Sequence, residues 1–204
     1  HVYTYQVSDS YPSLFTPAGY VFSIWGAIYT LWIVFMIYQV RASQRKESYL
    51  SRISFLYLLA GLLNILWLIN FHYSYGVPSL FILTPLPIVL LLLALLLTYV
   101  RLGVGKKEVP RNQKLAVHLP VSVDLGWISL ATIADIAPTL NKLIPGISMD
   151  VQALWTAAII IVALVLALLM LMLRRDFAFG LVVLWAAIGL ALKQIAVPLR
   201  FDAA

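Results

Sequence analysis

Six apolar stretches, each close to twenty residues long, constrain this chain more than any other feature. They cover roughly residues 18–40, 53–73, 78–100, 115–137, 151–173 and 177–198. A helix of ~20 apolar residues matches the hydrocarbon thickness of a bilayer. Inside lipid, a single chain segment can satisfy its own backbone only as a helix. Charged residues make up 11% of the chain, against about 25% in a soluble domain. The expected fold class is therefore an all-α integral membrane protein, a single transmembrane bundle over residues 1–204 with six transmembrane helices in this chain.

Charge then gives the topology. Arg41, Arg45, Lys46 and Arg52 lie between the first two spans, Arg101, Lys106, Lys107, Arg111 and Lys114 after the third, and Arg174 and Arg175 after the fifth. The second link has no Lys or Arg, and the fourth has only Lys142. By the positive-inside rule the loops at 41–52, 101–114 and 174–176 are expected in the cytoplasm. The net charge of +6 is this loop bias, and no nucleic-acid partner is expected. The chain has no Cys, which removes disulfides and thiolate metal sites. Both ends of the sequence then fall outside. The first residue is His1, and residues 1–13 read as a polar, aromatic segment without helical period. An external start with no upstream signal leads to the expectation of one more helix before His1, seven in all. Short links, Ser74–Val77 and Arg174–Asp176, make the second and third spans, and the fifth and sixth, antiparallel neighbours. The runs Ile88–Leu97 and Ala157–Leu173 read as lipid-facing filler, and the fourth span as the least apolar of the six.

Polar residues at depth carry the functional signal, because ionisable groups in a bilayer face a bundle interior or a cavity. Depth follows from the ~1.5 Å helical rise. From the cytoplasmic end, Asn64 lies at ~16 Å, Trp67 at ~21 Å, Asp124 at ~14 Å, Trp127 at ~18 Å and Asp135 at ~30 Å; Trp25 lies at ~22 Å, Tyr29 at ~16 Å and Lys193 at ~24 Å. Trp25, Tyr29, Asn64, Trp67 and Trp127 thus share a depth band and are expected to line one aromatic pocket, with Asn64 as polar anchor. Lys193 is nearer in depth to Asp135 than to Asp124, so Asp135 is its expected partner if it does not simply snorkel. Asp124 is left as a lone mid-membrane carboxyl. Trp32, Trp155 and Trp185 read as packing or interfacial residues, and His72 and His118 as interfacial ones too far apart to share a metal. No metal site, phosphate-binding loop or Ser/His/Asp constellation is present, so no catalytic residue is assigned.

The motifs resemble the TspO/MBR family of tryptophan-rich sensory and translocator proteins. The second helix of that family opens on a Pro-Pro-Gly-Trp-Val-Phe-Pro-x-x-Trp-x-x-Leu-Tyr pattern. Pro17, Gly19, Val21, Phe22, Trp25 and Tyr29 match it, while Ala18, Tyr20 and Ser23 depart from it. Asn64, Trp67 and Phe71 match the family's Asn-x-x-Trp helix. Leu119-Pro120, Trp127 and Ala131-Thr132 match a later helix, with Asp135 in place of the usual Asn and the Leu-Pro one turn further upstream. The resemblance covers residues 12–141 as a TspO-like core. The helices at 151–198 are additional to the family's five-helix plan, whose first helix precedes the Pro-Gly opening.

The resemblance implies a porphyrin, haem-type or other tetrapyrrole ligand, or a similar planar lipophilic molecule, in a pocket between helices. Trp25, Tyr29, Asn64, Trp67, Trp127 and Asp135 are the ligand-binding candidates; Asp124 and Lys193 are candidate buried ionisable residues. The protein is expected to act as a sensor, carrier (transport), receptor or accessory protein rather than a turnover enzyme. Its expected setting is a bacterial plasma (inner) membrane, with membrane lipids, a hydrophobic small molecule and a homodimer or larger complex as partners. Two other readings are an accessory subunit of a pigment-containing complex, and a seven-helix retinal protein using Lys193 as its Schiff base.

Overall fold

The computed structural model describes residues 2–11, 13–144 and 146–196; residues 197–198 of the sixth apolar stretch, like His1, lie outside them. Six helices are long and apolar enough to cross a membrane, and no strand occurs among the described residues. The chain opens on a short helix, α1 (Thr4–Ser10), where an unpatterned segment is expected from sequence. The Gln6 side chain turns back onto the Tyr3 N–H at 2.8 Å and Val7 is buried, so local capping and one apolar anchor stabilise it. A 3-10 turn, Gly19–Ser23, then leads into α2 (Ile24–Gln39) and on to α3 (Ser48–Tyr73).

Prolines decide where the next two spans deform. The third span is broken into α4 (Pro78–Phe81) and α5 (Pro85–Leu102). Pro85 and Pro87 lack an N–H and so favour the first turn of a new helix. The Thr84 hydroxyl, 2.8 Å from the Phe81 carbonyl, covers the break, sharing its one proton between that oxygen and the Asp135 carboxyl. The fourth span starts as α6 (Arg111–Gln113), widens into a π turn at Lys114–His118, and continues as α7 (Leu119–Leu143). Pro120 has no N–H for the Ala116 carbonyl, which relaxes the ladder where the wide turn occurs. Then follow α8 (Met149–Arg174) and α9 (Phe177–Ala196).

The span with the weakest hydropathy is the hub. An 18-residue stretch of the fourth has a mean hydropathy of 1.4 and is 78% buried, whereas the corresponding stretch of α8 has 3.1 and 11%. A helix enclosed by protein needs no apolar face for lipid, so α7 accommodates Ser122, Asp124, Thr132, Asp135 and Thr139. It packs against α2, α5 and α9, while α3 packs mainly on α5 and α8 on α9. The leucine run 88–97 is only half lipid-facing. Ile88, Leu91, Ala94 and Leu95 are buried and Leu90, Leu93, Leu96 and Leu97 exposed. The 3.6-residue period, hidden by uniform leucine, divides that run into two faces. The run 157–173 is mostly outward, with Ala163 and Ala167 buried.

Two close contacts tie the ends. At the basic end, Gly105 (φ +73°) lies under the Arg174 carbonyl, 1.9 Å from where a Cβ would sit, and Arg174 donates to the Val104 carbonyl at 3.1 Å. At the opposite end, Gly189 lets Val21 approach so closely that a Cβ would meet Val21 Cγ2 at 2.0 Å. The Ala18 N–H donates to the Gly189 carbonyl at 3.2 Å, and Trp185 Nε1 to the Val21 carbonyl at 3.2 Å. Gly189→Val should therefore lower the stability of the detergent-solubilised protein by about 1–3 kcal/mol, the usual cost of overpacking. Gly26, with nothing within 4 Å of its absent Cβ, is the contrast: Gly26→Ala in mid-helix should raise stability by about 0.5–1 kcal/mol. Denaturant-induced unfolding followed by circular dichroism measures both.

Candidate functional site

Three residues of α2, Trp25, Tyr29 and Trp32, recur at helical spacing on the face turned to α3 and α7. Trp25 stacks on Tyr29 (5.5 Å between ring centroids) and on Trp67 of α3 (5.6 Å), and meets Trp127 of α7 edge-on at 6.0 Å. Tyr29 donates to Asn64 Oδ1 at 3.4 Å. Trp67 continues the stack onto Phe71 at 4.9 Å. The five residues assigned to one depth band are thus assembled into one interior aromatic cluster. In it the rings fill the space between the helices with one another.

Both carboxyls of α7 are held by indoles. Trp67 Nε1 donates to Asp135 Oδ2 at 2.8 Å, and the Thr84 hydroxyl donates to its other oxygen. Trp32 Nε1 donates to Asp124 Oδ2 at 3.0 Å. Two expectations change here. Asp124 has a partner, and Trp32 is that partner rather than a packing or interfacial residue. Lys193 pairs with neither carboxyl of α7: its Nζ lies 2.9 Å from Asp9 in a pair exposed at 30% and 41%. Depth alone matched Lys193 to Asp135, but the N-terminal segment supplies a carboxylate that needs no desolvation of the ammonium. His118 is buried, not interfacial, because the π turn rotates it inward.

A cavity of about 530 Å³ adjoins the cluster. Phe22, Trp67, Phe71 and Trp127 form its aromatic wall, with Asp135 at its edge. The other walls belong to α8 and α9, and Ser8, Leu14, Phe15 and Pro17 roof it. Of the sequence-assigned residues, Trp67, Trp127 and Asp135 line this space. Trp25, Tyr29 and Asn64 do not; they stand behind Trp67 and Trp127. Asn64 is therefore no anchor within the cavity, since its carbonyl oxygen already accepts from Tyr29. Lys193 is also absent from the lining, whereas its neighbours Leu190, Ala191 and Gln194 take part. A Schiff-base lysine would have to point into such a space.

The walls contributed by α8 and α9 are what sequence reading missed. Their signal is alanine rather than an aromatic or polar residue. Ala131 and Ala134 on α7, Ala153 and Ala157 on α8, and Ala187 and Ala191 on α9 all face the cavity at helical spacings. Short side chains leave room where larger ones would close the gap. The roof is fastened at several points: Gln194 donates to the Leu14 carbonyl at 3.0 Å, Tyr11 to the Ser74 carbonyl, and Lys142 sits 4.8 Å over the Tyr11 ring. Asp176 was also missed. It accepts from Tyr99 at 2.8 Å, from Ser122 and from the Phe179 N–H at 3.1 Å, capping α9 onto α5 and α7. No metal-binding cluster occurs among the described residues.

No curated protein and no solved structure matches the chain. A family model described as TSPO-like protein matches residues 1–200. The match runs through α8 and α9, beyond the 12–141 stretch that carries the motifs. With an all-helical bundle of six membrane-spanning helices and that match over nearly its whole length, the chain is a membrane protein belonging to the TSPO-like protein family.

Proposed function

We propose that this protein binds a planar lipophilic molecule of the porphyrin or tetrapyrrole class in the roofed cavity between α7, α8 and α9, and acts as a sensor, carrier or accessory protein. The observation that carries this reading is the cavity itself. Its volume of about 530 Å³ falls in the ~300–1,000 Å³ range of small-molecule sites. One wall is aromatic, suited to stacking on a flat π-system; the others are mostly alanine and branched aliphatic. Polar groups are few: Ser8, Asp135, Thr156 and Gln194. In this reading Trp67 and Trp127 touch the ligand, Asp135 orients Trp67, and Trp25, Tyr29 and Asn64 hold that wall from behind. The loops at 41–52, 101–114 and 174–176 are assigned to the cytoplasm of a bacterial cell and the roof to the outer side, on the strength of the loop charges.

Protoporphyrin titrated into the full chain in detergent should quench tryptophan fluorescence to saturation. Trp67→Phe should weaken binding about tenfold, equivalent to ~1.4 kcal/mol. Ala157→Leu, which fills the opposite wall without touching an aromatic residue, should weaken it at least as much. Asn64→Ala, acting only through Tyr29 and Trp25, should have a smaller effect than either. Unchanged affinity in both Trp67→Phe and Ala157→Leu would place the ligand elsewhere.

Ser8, Leu14, Phe15 and Pro17 cover the cavity above, and the surface pair Lys193–Asp9 holds α1 against α9. An exposed pair contributes about 1 kcal/mol or less, so the roof is lightly latched there. Lys193→Ala should speed porphyrin association in stopped-flow quenching by a few-fold at low salt, a gain that disappears at high salt as screening removes the pair in the parent protein as well.

A further inference from the structure

The cavity is long as well as large. Its wall on α8 runs from Ala153 to Leu164 and its wall on α9 from Val183 to Gln194, in both cases at steps of three or four residues. Each of these stripes rises ~16 Å along its helix. Half of a ~30 Å hydrocarbon core is ~15 Å. The cavity therefore runs parallel to the helices for about the depth of one leaflet, starting at the roof.

Polarity changes along that length. Ser8 and Gln194 lie at the roofed end, with Thr156 one turn below Ala153. Asp135 borders the space as well, but its oxygens already accept from Trp67 and Thr84. On α8 and α9, every described lining residue deeper than Thr156 and Gln194 is alanine, valine, leucine or isoleucine. A polar mouth at the membrane surface and an apolar interior below it match the polarity of an amphiphile.

The side between α7 and α8 is not sealed by packing. α8 packs on α9 and meets α7 near the roof, where Asn141 donates to Gln152 at 3.0 Å. Deeper down, Leu164 lines the cavity and yet is 46% exposed, and Ala157, on the same wall, is exposed too. At this depth the surroundings are acyl chains. An apolar space left empty beside them forfeits the dispersion contacts of its walls.

We propose that the cavity takes up one acyl chain of a bilayer phospholipid, which enters sideways between α7 and α8 and lies along the alanine-rich walls with its polar end towards Ser8 and Gln194. The open side lets the headgroup and the second chain stay in the leaflet, so a two-chain lipid can fill the cavity without leaving the membrane. A tetrapyrrole bound there must displace this chain. That consequence rests on the tetrapyrrole reading, whereas uptake of the chain does not.

The test places the full chain, carrying Trp155→Phe, in phosphatidylcholine bilayers with brominated acyl chains and no tetrapyrrole. Bromine quenches tryptophan fluorescence at short range. Trp155, exposed by 63%, is removed because surrounding lipid reaches it directly. Trp67 and Trp127 line the cavity and are otherwise enclosed, with 3% and 2% exposed. Fluorescence lower than in unbrominated bilayers is expected. Ala157→Leu and Ala187→Leu, which narrow the cavity from opposite walls, should each cut that quenching to half or less. Ala158→Leu, exposed on the same helix but outside the lining, should leave it unchanged. Circular dichroism and thermal unfolding check the fold, and Ala187→Leu provides the test should Ala157→Leu misfold. Quenching that is absent from the parent, or equal in the parent and both cavity variants, overturns the proposal. So does quenching by a brominated fatty acid in an unbrominated bilayer without quenching by brominated phosphatidylcholine, which assigns the cavity to a free fatty acid. With no tetrapyrrole present, failure here leaves the protoporphyrin titration untouched, and failure of that titration leaves this result untouched.

Discussion

The packing of this protein depends on how a membrane interior treats a carboxyl group. Lipid offers no hydrogen-bond donor, so a carboxyl on a spanning helix must find one in a neighbour. The central helix α7 carries two such groups, and each is met by a tryptophan N–H: Trp32 of α2 on Asp124 and Trp67 of α3 on Asp135. A third carboxyl, Asp176, caps α9 and collects Tyr99 of α5 and Ser122 of α7. Hydrogen bonds to charged groups contribute about 1.5–3 kcal/mol each. Their greater effect here is directional, since apolar packing alone discriminates poorly between helix rotations when lipid is as apolar as leucine. Indole suits this role. It is a large apolar ring with a single donor, so it serves a carboxyl oxygen without adding an acceptor that would need a donor of its own.

The same economy of polar groups explains where space remains. Around Asp124 and Trp25 the aromatic rings pack upon one another. On the other side of Trp67 and Trp127 the facing residues of α8 and α9 are mainly alanine, and α8 leans on α9 rather than closing onto α7. Small residues usually bring membrane helices together, and Gly180 of α9 does so against Leu171 of α8. The alanines turned towards α7 meet instead the wide rings of Phe22 and Trp127, and a cavity results. The N-terminal segment completes it from above. One aromatic wall thus serves two neighbours, the cavity on one side and the rings of Trp25 and Tyr29 on the other.

Much of this was legible in the chain. The six spans follow from run length, and the aromatic cluster from helical spacing and depth: Trp25, Tyr29, Asn64, Trp67 and Trp127 do come together. Depth is a one-dimensional coordinate, however. It matched Lys193 to Asp135 because both sit towards the same end, and it could not register that α1 folds back to offer Asp9. It put Asn64 in the binding space because it could not tell the front of a wall from its back. Alanine carries no chemical signal, so the cavity walls on α8 and α9 went unread, and a uniform leucine run hid the buried face of α5.

Sequence by itself determined that the chain carries six helices long and apolar enough to cross a membrane, that its basic residues gather in alternate loops, and which polar residues fall within those spans. Those properties are set by local hydrophobicity and by a fixed rise per residue. Only the tertiary structure decided which donor serves each carboxyl, that the least apolar span is the central one, and that a cavity lies between α7, α8 and α9. Each of these depends on the azimuth of one helix against another, which hydrophobicity along a chain does not encode when most faces of most helices are equally apolar.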